Sequence, residues 1–332
     1  MAARDLFLPV AAQESLDWFA EYVTRGESLG YEFVWMPETW GRDVVTVLSR
    51  IADRTDRIGI GTSIANVYSR SPALLGQTAV TLQEASGGRF RLGLGASGPI
   101  LIEGWHGVDY DRPLRRTREA IEIVRQVQTG EELRYDGDIF NLAGFRLRHD
   151  PPETPVPLDA AGMSPKSVEL AGRFGDGWHA LMLDRDGLSG RLEDFERGTE
   201  LGNRNRDDQR VTLSLTCCAL ADRERARHLV RGHLVFYVGA MGTFYRDALA
   251  RQGYEEAANT ISQRVGSGDT DAAMDALTDD LLDAFAIAGT PEECRDRLAA
   301  FESLDGVDAV SVSFPRGASK TEVETTIDAL AP

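Results

Sequence analysis

Short apolar runs alternate with amphipathic stretches along this chain from its first residues, and that alternation restricts the fold more than any other feature. Residues 5–9 read as a strand and 13–29 as its helix, with Leu16, Phe19, Ala20 and Val23 on one face and Gly30 as the stop. The unit then recurs: 33–36 with 44–54, 57–64 with a helix opened by Ser71-Pro72, and 89–93 with 113–129. A hairpin about Asp136-Gly137, within about 131–150, and an extended stretch at 151–155 interrupt it. Residues 156–160, a helix over 165–174 and a strand at 177–181 resume the pattern. Strands seven and eight fall at 211–220 and 309–314, with a long helical block at about 223–283 between them. Parallel neighbours need crossover helices, so eight such units predict one α/β TIM barrel over 1–332, with a helical insertion between strands seven and eight. A doubly wound sheet with a separate helical domain is the competing arrangement.

Charge narrows the partners. The chain carries 36 basic against 53 acidic residues, a net charge of −17, which disfavours nucleic acid and anionic membrane. Its only lysines are Lys166 and Lys320. An acidic, lysine-poor surface suits a high-salt cytoplasm, although a GC-rich genome gives the same arginine bias. Mean hydropathy is −0.27, and no apolar run reaches the roughly 20 residues that span a bilayer. With no targeting segment read at the N-terminus, a cytoplasmic protein is expected. Cys217 and Cys218 point to opposite faces of one strand and, like Cys294, read as core. No histidine pair has the spacing of a helical metal site, so no metal is expected.

Barrel chemistry gathers where strands end. Strand two runs into Met36-Pro-Glu-Thr-Trp40 and strand three into Thr62-Ser-Ile-Ala-Asn66. Strand four leads through Gly93-Leu-Gly-Ala-Ser-Gly98 to Glu103-Gly-Trp-His106, and strand six carries His179. Small residues leaving strand five at Gly162, Met163 and Ser164 expose backbone N–H groups at a helix start, which favours a phosphate or serves as an ordinary cap. Ser97 and Gly98 offer a second such nest. Phe236, Tyr237, Met241 and Tyr245 of the helical block are placed to roof the pocket.

Four segments resemble the luciferase-like monooxygenase superfamily: 57–66, Ser86-Gly-Gly-Arg-Phe90, Gly93-Leu-Gly-Ala-Ser97 and Ala171-Gly-Arg-Phe-Gly-Asp-Gly-Trp178. The segments 37–43 and 103–107 resemble its coenzyme F420 branch, which includes methylenetetrahydromethanopterin reductase. The resemblance implies a deazaflavin bound at the barrel mouth and hydride transfer to or from a small organic or pterin-like substrate, such as a methylene-pterin. It implies a cis peptide at Ser63-Ile64 behind the ring and Asn66 at the ring's polar edge. Ser97, Gly98, Gly162, Met163 and Ser164 would hold the phosphate. Glu38, Glu103 and His106 would serve the proton chemistry, and Trp40, Trp105 and His179 would meet substrate. A homodimer or higher homo-oligomer is the family expectation. An FMN-dependent monooxygenase and a non-catalytic flavin-binding barrel are the alternatives.

Overall fold

The computed structural model describes residues 2–8, 10 and 15–332; the expectations for Met1, Pro9 and Gln13 lie outside the described residues. Among the described residues eleven strands follow one another: β1 (Ala3–Phe7), β2 (Phe33–Met36), β3 (Gly59–Asn66), β4 (Phe90–Gly95), β5 (Leu133–Asp136), β6 (Asn141–Phe145), β7 (Leu158–Ala161), β8 (Gly177–Leu181), β9 (Arg210–Ala219), β10 (Ala286–Gly289) and β11 (Ala309–Ser313). Eight of them close into a parallel barrel in the order β1-β2-β3-β4-β7-β8-β9-β11, with β11 returning to β1. The chain is therefore a TIM barrel, and the doubly wound alternative is excluded. β5 and β6 form the expected antiparallel hairpin outside it. β10 is an extra parallel strand on the C-terminal half of β9. Ala-Ile-Ala-Gly is too short and too poor in β-branched residues to announce itself in the sequence.

Local chemistry sets the helix ends. Ser15, Asp43, Ser71, Ser164, Thr290 and Ser319 each cap a helix through the side-chain oxygen, and Gly30 closes the first helix in the left-handed region at φ 96°. The outward faces of the strands bury Leu6, Val34, Ile60, Leu92, Leu158 and Leu213 against the helix ring.

Between β9 and β10 run five helices, from Arg223–Ala240 to Asp279–Phe285, with a second core built on Leu234, Val235, Ile261, Leu282 and Phe285. The cysteine pair divides as its alternation requires. Cys217 enters the barrel core, Cys218 enters the core of the helical block, and both are free thiols. No helix among the described residues is long and apolar enough to cross a membrane.

Candidate active site

The inward faces of the strands are polar low in the barrel. Trp35 Nε1 donates to Asp5 Oδ2 at 2.8 Å, and Arg210 Nη2 donates to the two Asp5 oxygens at 2.9 and 3.1 Å. Arg91 Nε donates to Asp159 Oδ2 at 3.0 Å while its other arm reaches Oδ1 and the Asp176 carbonyl. Both aspartates are buried, which opposes their charge. For Asp159 the Arg91 guanidinium outweighs burial and the pKa falls well below the usual carboxylate range; for Asp5 burial outweighs Arg210 and Trp35, and the pKa rises. Gly61 and Gly177 leave the room these side chains occupy, since a Cβ there would run into Trp35 and Asp159 respectively.

His179, which the resemblance set among the substrate contacts and which its place on an apolar strand left open between rim and core, belongs to this interior. It is 4% exposed, stacked edge-on to Trp35 with ring centroids 4.5 Å apart. Its Nε2 stands 3.5 Å from Asp159 Oδ2 without a hydrogen bond. Residue 179 is two positions short of the end of β8, so its side chain points across the barrel beneath the mouth.

Higher up the polarity divides. Pairing of β3 with β4 shifts register between Thr62 and Ala65, and the Ser63–Ile64 peptide is cis, at the bond the resemblance indicated. The shifted Ile64 side chain lies beside Gly95. A Cβ on that glycine would meet Ile64 Cγ1 at 3.0 Å, Cδ1 at 3.2 Å and the Ala161 Cβ at 3.6 Å. Ile64, Gly95 and Ala161 therefore make a flat apolar platform at the ends of β3, β4 and β7. On the opposite wall stand the hydroxyls of Ser214, Thr216 and Ser313, each partly exposed. Among the described residues, no group of three or more histidine, cysteine or carboxylate side chains is arranged to hold a metal.

Two of the predicted residues prove to be internal fittings. Glu38 accepts from Asn66 N at 3.0 Å, Asn66 Nδ2 at 2.9 Å, Ser69 Oγ at 3.1 Å and Arg70 Nε at 3.1 Å, and its own N–H donates to Ile64 O at 2.9 Å. Asn66 Oδ1 accepts from Tyr68 N and Ser69 N at 3.0 and 2.7 Å. With all these contacts made, Glu38 clamps the turn after the bulge, and Asn66 is fully buried rather than turned toward a ring edge. Arg70, the counter-ion that completes the clamp, was visible in the sequence but went unassigned.

The loop after β4 is different. It folds as a short helix, Pro99–Gly104, opened by Gly98 without a side-chain cap and preceded by Ser97 at φ 58°. Glu103 is exposed and, among the described residues, accepts a side-chain hydrogen bond only from Tyr110 N, at 3.3 Å. His106 follows in the turn, its Nε2 buried with no hydrogen-bond partner among the described residues. Trp40 and Trp105 stand 46% and 63% exposed. After β7, the Ser164 hydroxyl is engaged in a reciprocal cap with Ser167, so any anion there would meet backbone N–H groups rather than that side chain. Gly162 is required locally, because a Cβ would collide with the Ser167 side chain.

The helical block is fastened over several strand ends. Phe244 stands 6.1 Å from the Tyr110 ring and would touch a Cβ on Gly98 at 3.9 Å. Gln252 Nε2 donates to Met182 O at 2.9 Å, Gln252 Oε1 accepts from Asp184 N at 2.9 Å, and Tyr254 OH donates to Asp184 at 2.9 Å. His233 Nδ1 accepts from Arg316 N at 3.0 Å, just past β11. Gln252, Tyr254, His233 and Arg316 were not singled out from sequence, because nothing in their spacing links them to strand ends.

Comparison with known proteins follows this geometry. The family model described as luciferase-like monooxygenase matches residues 5–308. The chain is 31% identical over 306 residues to a 5,10-methylenetetrahydromethanopterin reductase of Archaeoglobus fulgidus, covering 90% of each. It is 28% identical over 224 residues to an F420-dependent glucose-6-phosphate dehydrogenase of Amycolatopsis mediterranei, covering 62% of this chain and 66% of the other. The solved structure of the coenzyme F420 dependent tetrahydromethanopterin reductase from Methanopyrus kandleri superposes with a TM-score of 0.85 at 22% identity, covering 99% and 97%.

Proposed function

The chain belongs to the luciferase-like monooxygenase family, and from that premise we propose that it is a coenzyme F420-dependent oxidoreductase with its reaction site at the barrel mouth. The observation that carries this reading is the platform of Ile64, Gly95 and Ala161. A flat tricyclic ring needs a broad apolar support thinned by glycine, and the bulge in β3 supplies one. When bound, coenzyme F420 gives or takes a hydride at one ring carbon.

The chain's own residues would then divide the remaining work. Ser63 and Ile64 back the ring. The backbone at Ser97 and Gly98, where the following helix starts without a side-chain cap, and at Gly162, Met163 and Ser164, just ahead of the capped helix, would hold the phosphate, since backbone N–H groups at a helix start favour an anion. His106 is the proton-handling residue of this scheme. Its buried Nε2 lacks a partner among the described residues, and a substrate atom within hydrogen-bond reach would supply one. Glu103, three residues before it and open to solvent, would pass protons to and from water. Trp40 and Trp105 would close the rim over the substrate. Glu38 and Asn66 act one step back, holding the turn that presents Ile64.

A small organic substrate is supported by relatives named for a methylenetetrahydromethanopterin and for glucose 6-phosphate. A cytoplasmic homo-oligomer accords with this reading, as do three buried free thiols. Fluorescence titration of the purified protein with coenzyme F420 and with FMN tests it. Selective binding of the deazaflavin is expected. Selective FMN binding would move the enzyme to oxygen chemistry, and binding of neither would leave a non-catalytic barrel.

A further inference from the structure

We propose that the wall of the mouth beside β11 binds an anionic group of the substrate, with Arg316 as its charge partner and the phenols of Tyr237 and Tyr245 as hydrogen-bond donors. This rests on the mouth being the reaction site. It adds what the cofactor reading leaves open, the charge of the second substrate.

Arg316 is placed by both the barrel and the roof. It follows β11 by three residues, so it lies at the end of the barrel where the other strands deliver the mouth. Its backbone N–H is held by His233 Nδ1 at 3.0 Å, and its guanidinium lies over the Phe236 ring, 4.0 Å from the centroid. Both partners sit on the helix Arg223–Ala240. A guanidinium stacked on a ring keeps its edge N–H groups free for a planar or tetrahedral anion. The side chain is exposed, and no carboxylate among the described residues pairs with it, in a chain where acids outnumber bases by 53 to 36. Most arginines here have found an acid. This one has a ring instead.

The neighbours favour an anion in the same way. His233, Tyr237 and Tyr245 form one run of rings, with centroids 4.7 and 4.8 Å apart. Burial, with the Arg316 charge beside it, pushes His233 down to about 3, so the imidazole is neutral and uses Nδ1 as an acceptor. Burial raises both tyrosines, which therefore stay protonated at neutral pH. Neither phenol has a protein hydrogen-bond partner among the described residues. A fixed cation and two phenolic donors, with no paired carboxylate on the cation, form a recognition set for a carboxylate or a phosphate ester. Neutral aliphatic substrates would leave all three without partners.

Calorimetric titration of the F420-loaded protein with benzoate and with inorganic phosphate tests this, with benzamide as the uncharged counterpart of benzoate. Wild-type protein should bind at least one of the two anions, Arg316→Ala about tenfold more weakly, and Tyr237→Phe measurably more weakly. Benzamide should bind wild type and variants alike. Tighter binding of phosphate assigns a phosphate ester, and tighter binding of benzoate a carboxylate. If neither anion binds, or wild type and Arg316→Ala bind equally, the proposal fails. Arg316 is exposed, so both proteins should share one melting temperature and one affinity for coenzyme F420. If no protein takes up the cofactor, it is the cofactor reading that fails, and the same titrations on cofactor-free protein still decide the role of Arg316.

Discussion

The lower interior of the barrel and its mouth are built from opposite rules. Below, every charge has a counter-charge: Asp5 with Arg210, and Asp159 with Arg91. Above, several polar groups have no counter-charge or hydrogen-bond partner among the described residues. Among the described residues, His106 Nε2 and the phenols of Tyr237 and Tyr245 have no hydrogen-bond partner, and Arg316 lies on a ring. Paired groups join the strands low in the barrel; groups without a protein partner are the ones proposed above to meet a ligand. On the proposed reading the same chain separates residues that hold its shape from residues that would meet a substrate, and the boundary runs between His179 and Gly95 in height. His179 lies below that boundary, as an interior residue.

The strongest way to break this contrast is to remove one charge from the lower layer. Asp159→Asn keeps the shape but leaves the Arg91 guanidinium buried without its counter-ion, a loss of about 3–5 kcal/mol by analogy with other buried pairs. Denaturant unfolding at neutral pH should show it, while the cofactor affinity of the folded fraction stays near wild type. The pH dependence has a definite sign. Because the folded-state pKa of Asp159 lies below its unfolded value, its contribution is complete above the ordinary carboxylate range, about pH 4, and is lost as pH falls toward the lowered value. The gap between wild type and variant should hold from neutral pH to about 5 and narrow below about 4. Asp5, whose pKa is raised, contributes with the opposite sign, so Asp5→Asn should not reproduce that acid-limb narrowing. A gap that ignores pH would mean that Asp159 is not the charged partner.

A middle-sized effect belongs to Glu38, which touches both regions through the turn it clamps. Glu38→Gln replaces an acceptor for four donors by a group that must itself donate, so the bulge carrying Ile64 should loosen. Cofactor affinity should fall roughly tenfold and stability by about 1–3 kcal/mol together, with the pH profile of turnover unchanged. If turnover alone falls and the profile shifts, Glu38 is the proton-handling group that the sequence suggested, and the clamp is secondary.

How far the sequence reached follows from which forces act locally. Strand–helix alternation, the Ser71-Pro72 and Thr290-Pro291 helix starts and the division of Cys217 from Cys218 are matters of neighbouring residues, and they are visible without coordinates. The motifs around Ser63-Ile64 and Gly93–Gly98 pointed to the mouth. What stayed hidden depends on distant partners. Glu38 looked like a lone strand-end acid until Arg70, 32 residues on, closed on it. Arg91 and Asp159 are 68 residues apart, and Arg210 and Asp5 are 205 apart. Arg316 lay in a stretch with no motif, and only the fold sets it against His233 and Phe236, 83 and 80 positions earlier.

Salt separates the two kinds of charge most finely. The surface carries the excess of acid, and exposed pairs such as Arg25 with Asp328 contribute about 0–1 kcal/mol each, a term that salt screens within roughly 10 Å at 0.1 M. Screening the self-repulsion of a net charge of −17 should outweigh that loss, so the melting temperature of wild type should rise between dilute buffer and molar salt. The lower layer should not respond. Arg91 and Asp159 are screened by protein rather than by ions, so the stability difference between wild type and Asp159→Asn should stay within about 0.5 kcal/mol over the same range. A rising melting temperature with a constant gap assigns the salt effect to the surface and favours a high-salt setting. A flat melting temperature leaves the acidic surface to codon bias. A gap that shrinks with salt means that ions reach Asp159, and the line between a closed lower layer and an open mouth would have to be drawn lower in the barrel.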